Sequence, residues 1–89
     1  MRIRTFDLVS IDHGARLPAY IQLADIIEAR IRAGELSVGR TIPSESSLQQ
    51  EFGVSRGTVR KAVLVLRERR LVDTVPQRGT FVLPGDEWQ

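Results

Sequence analysis

The chain of 89 residues contains no cysteine and a single histidine. The missing thiols exclude disulfide bonds and cysteine-ligated zinc. His13 has no second metal-type ligand near it, so we expect it to lie exposed in a loop. No apolar run approaches the roughly 20 residues that a membrane span needs, and the N-terminus lacks the apolar stretch of a signal peptide. These absences predict a soluble, cytoplasmic protein without membrane contact, metal or cofactor.

The sequence also lacks the residue groupings that are typical of catalytic sites. The serines have no His/Asp partner in a nucleophile arrangement, so they are expected to serve as helix caps and phosphate donors. A domain of this size buries only roughly 60–65% of the surface that its unfolded chain exposes, which leaves little depth for a substrate pocket. The sequence therefore predicts a protein that is not an enzyme.

Positive charge is concentrated in one third of the chain. Residues 1–53 hold six Arg and seven acids, residues 54–78 hold seven Arg/Lys and two acids, and residues 79–89 hold two acids. The balances are −1, +5 and −2, which sum to the net charge of +2. A basic patch of this kind is typical of a polyanion-binding surface, although a solvated helix face has the same composition.

Residues 1–17 form an arm before the first helix. Its apolar residues predict a short strand around Phe6–Ile11, ended by a turn at Asp12-His13-Gly14. The apolar arm is a candidate dimer element, or a strand added to a sheet elsewhere in the molecule.

Pro18 suits the first turn of a helix, and Gly34 is a suitable stop after it. Between them, apolar residues recur at helical spacing and form one stripe that predicts a core-facing helix. The stripe consists of Tyr20, Leu23, Ala24, Ile27 and Ile31.

Two shorter helices, separated by a glycine turn, are predicted next. Ser44 fits the N-cap of the first, Glu45 suits its positive end, and Gly53 ends it. Ser55 fits the N-cap of the following helix. The core stripe of that helix is Val59, Ala62, Val63 and Leu66. Such a pair is a helix-turn-helix, in which the second helix presents its N-terminal part to the major groove of DNA.

The outward side of this last helix is cationic, since Arg56, Arg60 and Lys61 lie off the apolar stripe. Gly57 stands beside them, although glycine costs a helix interior up to about 1 kcal/mol. Two explanations stay open for Gly57. It is tolerated near the helix start, or its missing side chain permits close approach to a base or phosphate.

Two β-type runs follow, Leu71–Val75 and Thr80–Leu83, separated by the turn formers of residues 76–79. They predict a hairpin whose basic tip carries Arg78, a residue type favoured in narrow minor grooves. We expect Asp86–Gln89, including Trp88, to be frayed.

The predicted fold is mainly α with a small β-hairpin: a winged helix-turn-helix, with a three-helix bundle plus wing, over residues 18–83, followed by a tail over 84–89.

Five ordered blocks of the sequence resemble the GntR-type regulators. The blocks are Pro18–Ala24, Gly34–Leu36, Ile42–Glu45, Phe52–Ala62 and Arg78–Val82. The resemblance extends over about residues 18–83 with nearly unbroken spacing. It implies a winged helix-turn-helix that binds double-stranded operator DNA, usually as a homodimer on a palindrome.

The resemblance also implies roles for individual residues. Arg56 and Arg60 match the recognition-helix arginines that reach bases and phosphates, and Ser55 and Thr58 match phosphate-contacting positions. Ser44 matches the cap of the bracing helix. The predicted DNA-contacting residues are Arg40, on charge grounds, and Ser44, Ser46, Ser55, Arg56, Gly57, Thr58, Arg60, Lys61, Arg78 and the wing glycine Gly79.

The chain departs from the family pattern at several points. Ser46 stands where an arginine is common, Arg70 stands where many members have glycine, and the wing keeps only the second glycine of a Gly-x-Gly, Gly79. Members usually carry a C-terminal effector-binding and dimerising domain, whereas six residues follow Leu83 here. We expect either a short standalone regulator or further chain material, and a small-molecule effector stays open.

Two hypotheses of different classes follow from these observations. The first is a sequence-specific transcription regulator, in the simplest case a repressor, positioned by phosphate contacts and reading bases through Arg56 or Arg60. The second is a winged helix that serves as a protein-interaction adaptor without reading DNA. The basic face separates them, because an adaptor would tolerate Arg60→Ala.

Overall fold

The computed structural model of the chain describes residues 10–89. Within this range the elements are α1 (Ala19–Arg32), α2 (Glu45–Phe52), α3 (Arg56–Glu68), β1 (Val72–Val75), β2 (Gly79–Val82) and a 3₁₀ turn (Gly85–Glu87). The order is the one that the sequence predicts: a three-helix bundle followed by a hairpin.

The segment before α1 is fixed by one side chain, that of Gln22. The backbone N–H of Asp12 donates to Gln22 Oε1 (2.8 Å), while Gln22 Nε2 donates to the carbonyls of Asp12 and Leu17 (2.9 and 2.7 Å). The predicted turn is present, because the N–H of Gly14 donates to Asp12 Oδ1 (3.0 Å). The strand predicted around residues 6–11 lies outside the described residues except at its last two positions, which are not in a strand.

Serine caps begin α2 and α3, as predicted. Ser44 Oγ accepts the N–H of Ser47, and Ser55 Oγ accepts the N–H of Thr58, both at 3.1 Å. Each bond satisfies one of the N–H groups that a helix start leaves unpaired, a contribution of about 1 kcal/mol per cap. Gly53 closes α2 with φ 65, the left-handed conformation that glycine adopts without strain. The three residues between α2 and α3 therefore make a short, well-defined turn.

The core lies where α1, α3 and the hairpin meet, with α2 closing one side. Burial follows the predicted stripes, except that Tyr20 and Val63 are only half-buried. The fully enclosed set is Leu23, Ala24, Ile27, Leu48, Val59, Ala62, Leu66, Leu71, Val72 and Val82, with Ile31, Ile42 and Phe52 at its edge. No polar or charged side chain of residues 10–89 is buried, so the core is held by apolar contact alone.

The hairpin has a third partner. β1 and β2 pair antiparallel from Val72↔Val82 to Val75↔Gly79, and Thr41 bridges to Phe81 on the outer edge of β2. The N–H of Ile42 donates to the carbonyl of Thr80 (2.9 Å). The segment over residues 35–43 belongs to no helix or strand that the sequence predicts. In the structure its end ties the start of the helix-turn-helix to the hairpin.

The expectation of a frayed C-terminus is wrong. Trp88 Nε1 donates to the carbonyl of Leu83 (2.9 Å), the indole packs against the core, and the guanidinium carbon of Arg32 lies 5.1 Å from the centre of its ring. The N–H of Gln89 donates to the carbonyl of Arg69 (2.9 Å). The tail is ordered because an amphipathic indole finds both apolar surface and a carbonyl acceptor, partners that no local pattern reveals.

Candidate nucleic-acid interface

Helix α3 has a buried apolar face and an exposed cationic face. Val59, Ala62 and Leu66 are fully enclosed, whereas Arg56 and Arg60, in the first two turns, are exposed. The buried stripe fixes the helix to the body, so the two arginines project into solvent from a rigid support. This geometry suits a helix that inserts its N-terminal half into a groove.

The two exposed arginines of α3 lie close to an acid from the preceding helix. Arg60 Nε donates to Glu45 Oε2 at 2.9 Å, and Arg56 Nε lies 4.0 Å from Glu45 Oε1. The hydrogen bond from Arg60 to Glu45 and their charge attraction raise the pKa of Arg60 above its usual value. Sequence reasoning gave Glu45 only a role at the helix start. The second role was missed because Glu45 lies 15 residues before Arg60, in another helix.

The start of each short helix presents hydroxyls. Ser44 Oγ donates to Ser47 Oγ (3.0 Å), and Ser55 Oγ donates to Thr58 Oγ1 (3.1 Å). Ser46 is exposed in the first turn of α2. The cap serines thus have a structural function in the free protein, and their hydroxyls lie at the positive ends of α2 and α3, where anions are stabilised.

Lys61 lies on a different side of α3 from the arginines. Its ammonium is 5.6 Å from the centre of the Tyr20 ring, a cation–π contact between α3 and the start of α1. Tyr20 is therefore half-buried next to Lys61 and does not lie wholly in the core. The contact directs Lys61 towards the N-terminal end of α1.

The two glycines of the predicted site differ in what the fold asks of them. At Gly79, φ is +124, and a Cβ would lie 3.0 Å from Thr41 Cγ2, so a side chain meets both strain and crowding. At Gly57 the nearest atom to a Cβ would be Ser55 Oγ, at 3.8 Å, which is ordinary contact distance. The fold of the free chain requires the first glycine and not the second.

The wing, defined as residues 72–82, and the turn that precedes it lack two of the glycines of the family pattern, although Gly79 is kept. Arg70 (φ 60) and Gln77 (φ 66) both adopt left-handed backbone. Arg78 is exposed at the tip, and the exposed Arg40 precedes the bridge at Thr41. All of the predicted site residues are exposed except Thr58, which is half-buried.

A groove of about 680 Å³ separates α3 from the wing. It brings together four of the predicted residues, namely Ser44, Arg60, Arg78 and Gly79. The other seven lie outside it, on the starts of α2 and α3, on the Tyr20 side of α3, or at residue 40. Within residues 10–89, no cluster of His, Cys, Asp or Glu is suited to hold a metal ion. No helix of that range is both long and apolar enough to cross a membrane.

Helices α2 and α3, joined by a tight glycine turn and followed by a hairpin beside α3, define a winged helix-turn-helix. Residues 19–82 match the family described as bacterial regulatory proteins, gntR family. The chain belongs to this GntR family.

Relatives and solved structures agree with this assignment. The chain is 48% identical over 65 residues to the mannosyl-D-glycerate transport/metabolism system repressor MngR of Escherichia coli K12, a match that covers 73% of this chain and 27% of MngR. The AraR DNA-binding domain, solved in complex with operator ORR3, superposes with a TM-score of 0.73 at 41% identity and covers 76% of this chain and 82% of that one. YtrA from Sulfolobus acidocaldarius, a GntR-family transcription factor, superposes with a TM-score of 0.76 at 34% identity, with coverages of 86% and 81%. The chain thus spans about a quarter of the length of MngR.

Proposed function

We propose that the chain binds double-stranded operator DNA in a sequence-specific manner and acts in transcription regulation as a repressor, without catalytic activity. The observation that carries the proposal is the arrangement of α3, in which Arg56 and Arg60 project from the exposed first turns opposite an enclosed apolar stripe. The similarity to an AraR domain solved on its operator and to the repressor MngR supports the same function.

In this proposal α3 lies in the major groove and the wing reaches the neighbouring minor groove. The major groove is about 12 Å wide and admits one helix. Arg56 and Arg60 read guanine edges, while Gly57 allows the backbone of α3 to approach the DNA. Arg78, beside Gly79 at the wing tip, enters the minor groove.

The remaining predicted residues position the domain on the phosphates. The hydroxyls of Ser44, Ser46, Ser55 and Thr58 lie at the positive ends of two helices, where phosphate oxygens bind well. Arg40 and Lys61 contribute charge on either side of them. Contacts of this kind fix register and orientation and carry no sequence information themselves.

We further propose a homodimer on a palindromic operator, acting in the cytoplasm. A single winged helix buries only about 600–1,000 Å² on DNA, and two copies on adjacent half-sites double that area. The arm over residues 1–17 is the candidate for dimer contacts. Ultracentrifugation of the full chain and of a chain without residues 1–13 tests this role, which an unchanged association state would exclude.

The experiment that tests the proposed function is selection of bound sequences from a random duplex pool, followed by titration of the selected site. A recurring palindrome and competition by specific over shuffled duplex are expected. Arg60→Lys keeps the charge but loses the planar fork that binds guanine, so it should reduce the preference for the selected site by about 5- to 150-fold while non-specific binding persists. Failure to enrich any sequence, with no salt-dependent binding of duplex DNA, would leave the adaptor function instead.

A further inference from the structure

The groove between α3 and the wing has two walls and an apolar floor. One wall is formed by the α3 residues Arg60, Leu64 and Arg67, and the other by wing residues 74–80. The buried side chains of Ile42, Leu48 and Val59 form its floor. Its volume is about 680 Å³, and the α3 residues that form its wall are exposed to solvent.

The rims of this groove carry unbalanced positive charge. Arg67 on α3 and Arg78 on the wing make no ion pair with any residue of the described chain. Glu45 is the single acid among the lining residues, and its carboxylate is already paired with Arg60. The groove therefore has two uncompensated guanidinium groups, one from each wall, which favour an anionic occupant.

Apolar surface lies beside the charge. Leu64 on α3 is 51% exposed and Val75 on the wing is 39% exposed, and both line the groove. An occupant that matches this pattern has anionic groups repeated along it, with apolar C–H surface between them. The sugar-phosphate strand of a nucleic acid has both features, with a phosphate at each step and a deoxyribose between successive phosphates.

The position of the groove leads to the same occupant. The major and minor grooves of a duplex are separated by one backbone strand. If α3 enters the first and the wing enters the second, that strand must pass between α3 and the wing, and this groove is the space between them.

We propose that the groove binds one sugar-phosphate strand of the DNA duplex, with Arg67 and Arg78 neutralising phosphates from opposite walls and Leu64 and Val75 packing on deoxyribose. The proposal rests on the proposed function and assigns DNA contacts to Arg67, Leu64 and Val75, which neither the sequence pattern nor the family resemblance identified. Arg67 is then a contact as direct as Arg60, although it lies two helical turns further along α3.

Salt dependence of binding tests the role of Arg67. Each neutralised phosphate contributes about 0.9 to the slope of log K against log salt, so Arg67→Gln should reduce that slope by about this amount. Equivalently, the ratio of wild-type to Arg67→Gln affinity should fall about 3.5-fold between about 50 mM and about 200 mM salt. Arg70→Gln is the matched control, since it removes the same charge three residues away at an exposed position outside the groove.

A duplex with single methylphosphonate substitutions locates the contact. Wild-type protein should lose affinity at one or two phosphates between the major-groove and minor-groove contacts, and Arg67→Gln should be insensitive at one of them. Leu64→Gln should weaken binding without changing the salt slope, whereas Val38→Gln, at a residue of similar exposure (52%) outside the groove, should change neither. Thermal unfolding of each variant confirms that it is folded.

The possible outcomes separate the two proposals. Equal slope changes for Arg67→Gln and Arg70→Gln would mean that Arg67 acts only through its long-range charge. That result would overturn the groove contact and leave operator binding intact. An unchanged slope for Arg67→Gln would overturn it as well. Absence of duplex binding by the wild-type chain would overturn the proposed function first, and the groove contact with it.

Discussion

The carboxylate of Glu45, in the first turn of α2, accepts a 2.9 Å hydrogen bond from Nε of Arg60 on α3. Both side chains are largely exposed, so the pair adds little to the stability of the fold. Its effect is on geometry. It restricts a long arginine that would otherwise sample many rotamers, and it places a negative charge within 4.0 Å of Arg56 as well.

Replacing Glu45 with Gln should therefore change specificity more than stability. The variant keeps the length of the side chain but removes the charge that orients Arg60 and repels phosphates. We expect weaker discrimination between the selected site and a shuffled duplex, together with tighter non-specific binding, measured by titrating both duplexes. Glu51→Gln is the control, because Glu51 pairs with Arg30 at the other end of the same helix. A specificity ratio that moves equally in both variants would contradict the role of Glu45.

Arg70 offers a test of backbone strain. It has φ 60, a conformation in which a residue with a Cβ is disfavoured by about 1–2 kcal/mol relative to the right-handed region. Since glycine removes this cost but loses more entropy on folding, Arg70→Gly should raise the free energy of unfolding by about 0.5–1 kcal/mol. Urea denaturation measures the difference.

The same substitution at Arg67, inside α3, is the matched control and should lower the free energy of unfolding by up to about 1 kcal/mol. Destabilisation by Arg70→Gly would mean that the arginine side chain supports the turn through contacts, and the strain argument would fail.

The parts of the fold that were predicted correctly depend on neighbours in sequence. Ser44 and Ser55 cap helices through bonds to residues three positions on, and the apolar stripes of α1 and α3 repeat every three or four residues. The parts that were missed depend on residues far apart. Trp88 meets Arg32 across 56 positions, Thr41 bridges to Phe81, and Glu45 reaches Arg60 from another helix. A periodic pattern records which face of an element is buried, and it does not record which partner an exposed charge or a terminal indole will meet.

The fold does not require Gly57, so a substitution there tests its proposed role in DNA binding. A methyl group at this position finds only ordinary contact in the free protein, and alanine favours a helix over glycine by up to about 1 kcal/mol. Gly57→Ala should thus leave the protein as stable or stabilise it, while weakening operator binding by obstructing the approach of α3 to the DNA. The paired measurements are urea denaturation and titration of the selected duplex.

Gly79→Ala provides the contrast to Gly57→Ala. Its Cβ would meet Thr41 Cγ2 at 3.0 Å on a backbone with φ +124, so this variant should lose stability. Undiminished operator affinity in Gly57→Ala would show that the glycine is merely tolerated near the start of α3.

A cluster of ion pairs along the C-terminal half of α1 predicts that the stability of the fold depends on pH. Arg69 Nη1 binds Asp25 Oδ1 (2.9 Å) and Glu28 Oε1 (2.7 Å), and Glu28 also accepts from Arg32 (2.8 Å). Desolvation raises the pKa of Glu28, but the hydrogen bonds from Arg32 and Arg69 and their charges outweigh it and hold that pKa below 4.5. The folded state therefore favours the carboxylate, and this contribution to stability is present at neutral pH and lost as the pH falls through the lowered pKa.

Glu28→Gln removes this titration. At neutral pH the variant should be less stable than wild type by about 1 kcal/mol at most, since the cluster is partly exposed, and the difference should shrink as the pH falls below 4.5. Urea denaturation of both proteins across that range measures it. Glu68→Gln is the control, because Glu68 is exposed and makes no ion pair with the described residues. A difference that stays constant with pH would show that Glu28 stabilises α1 by packing and that its charge has no part in it.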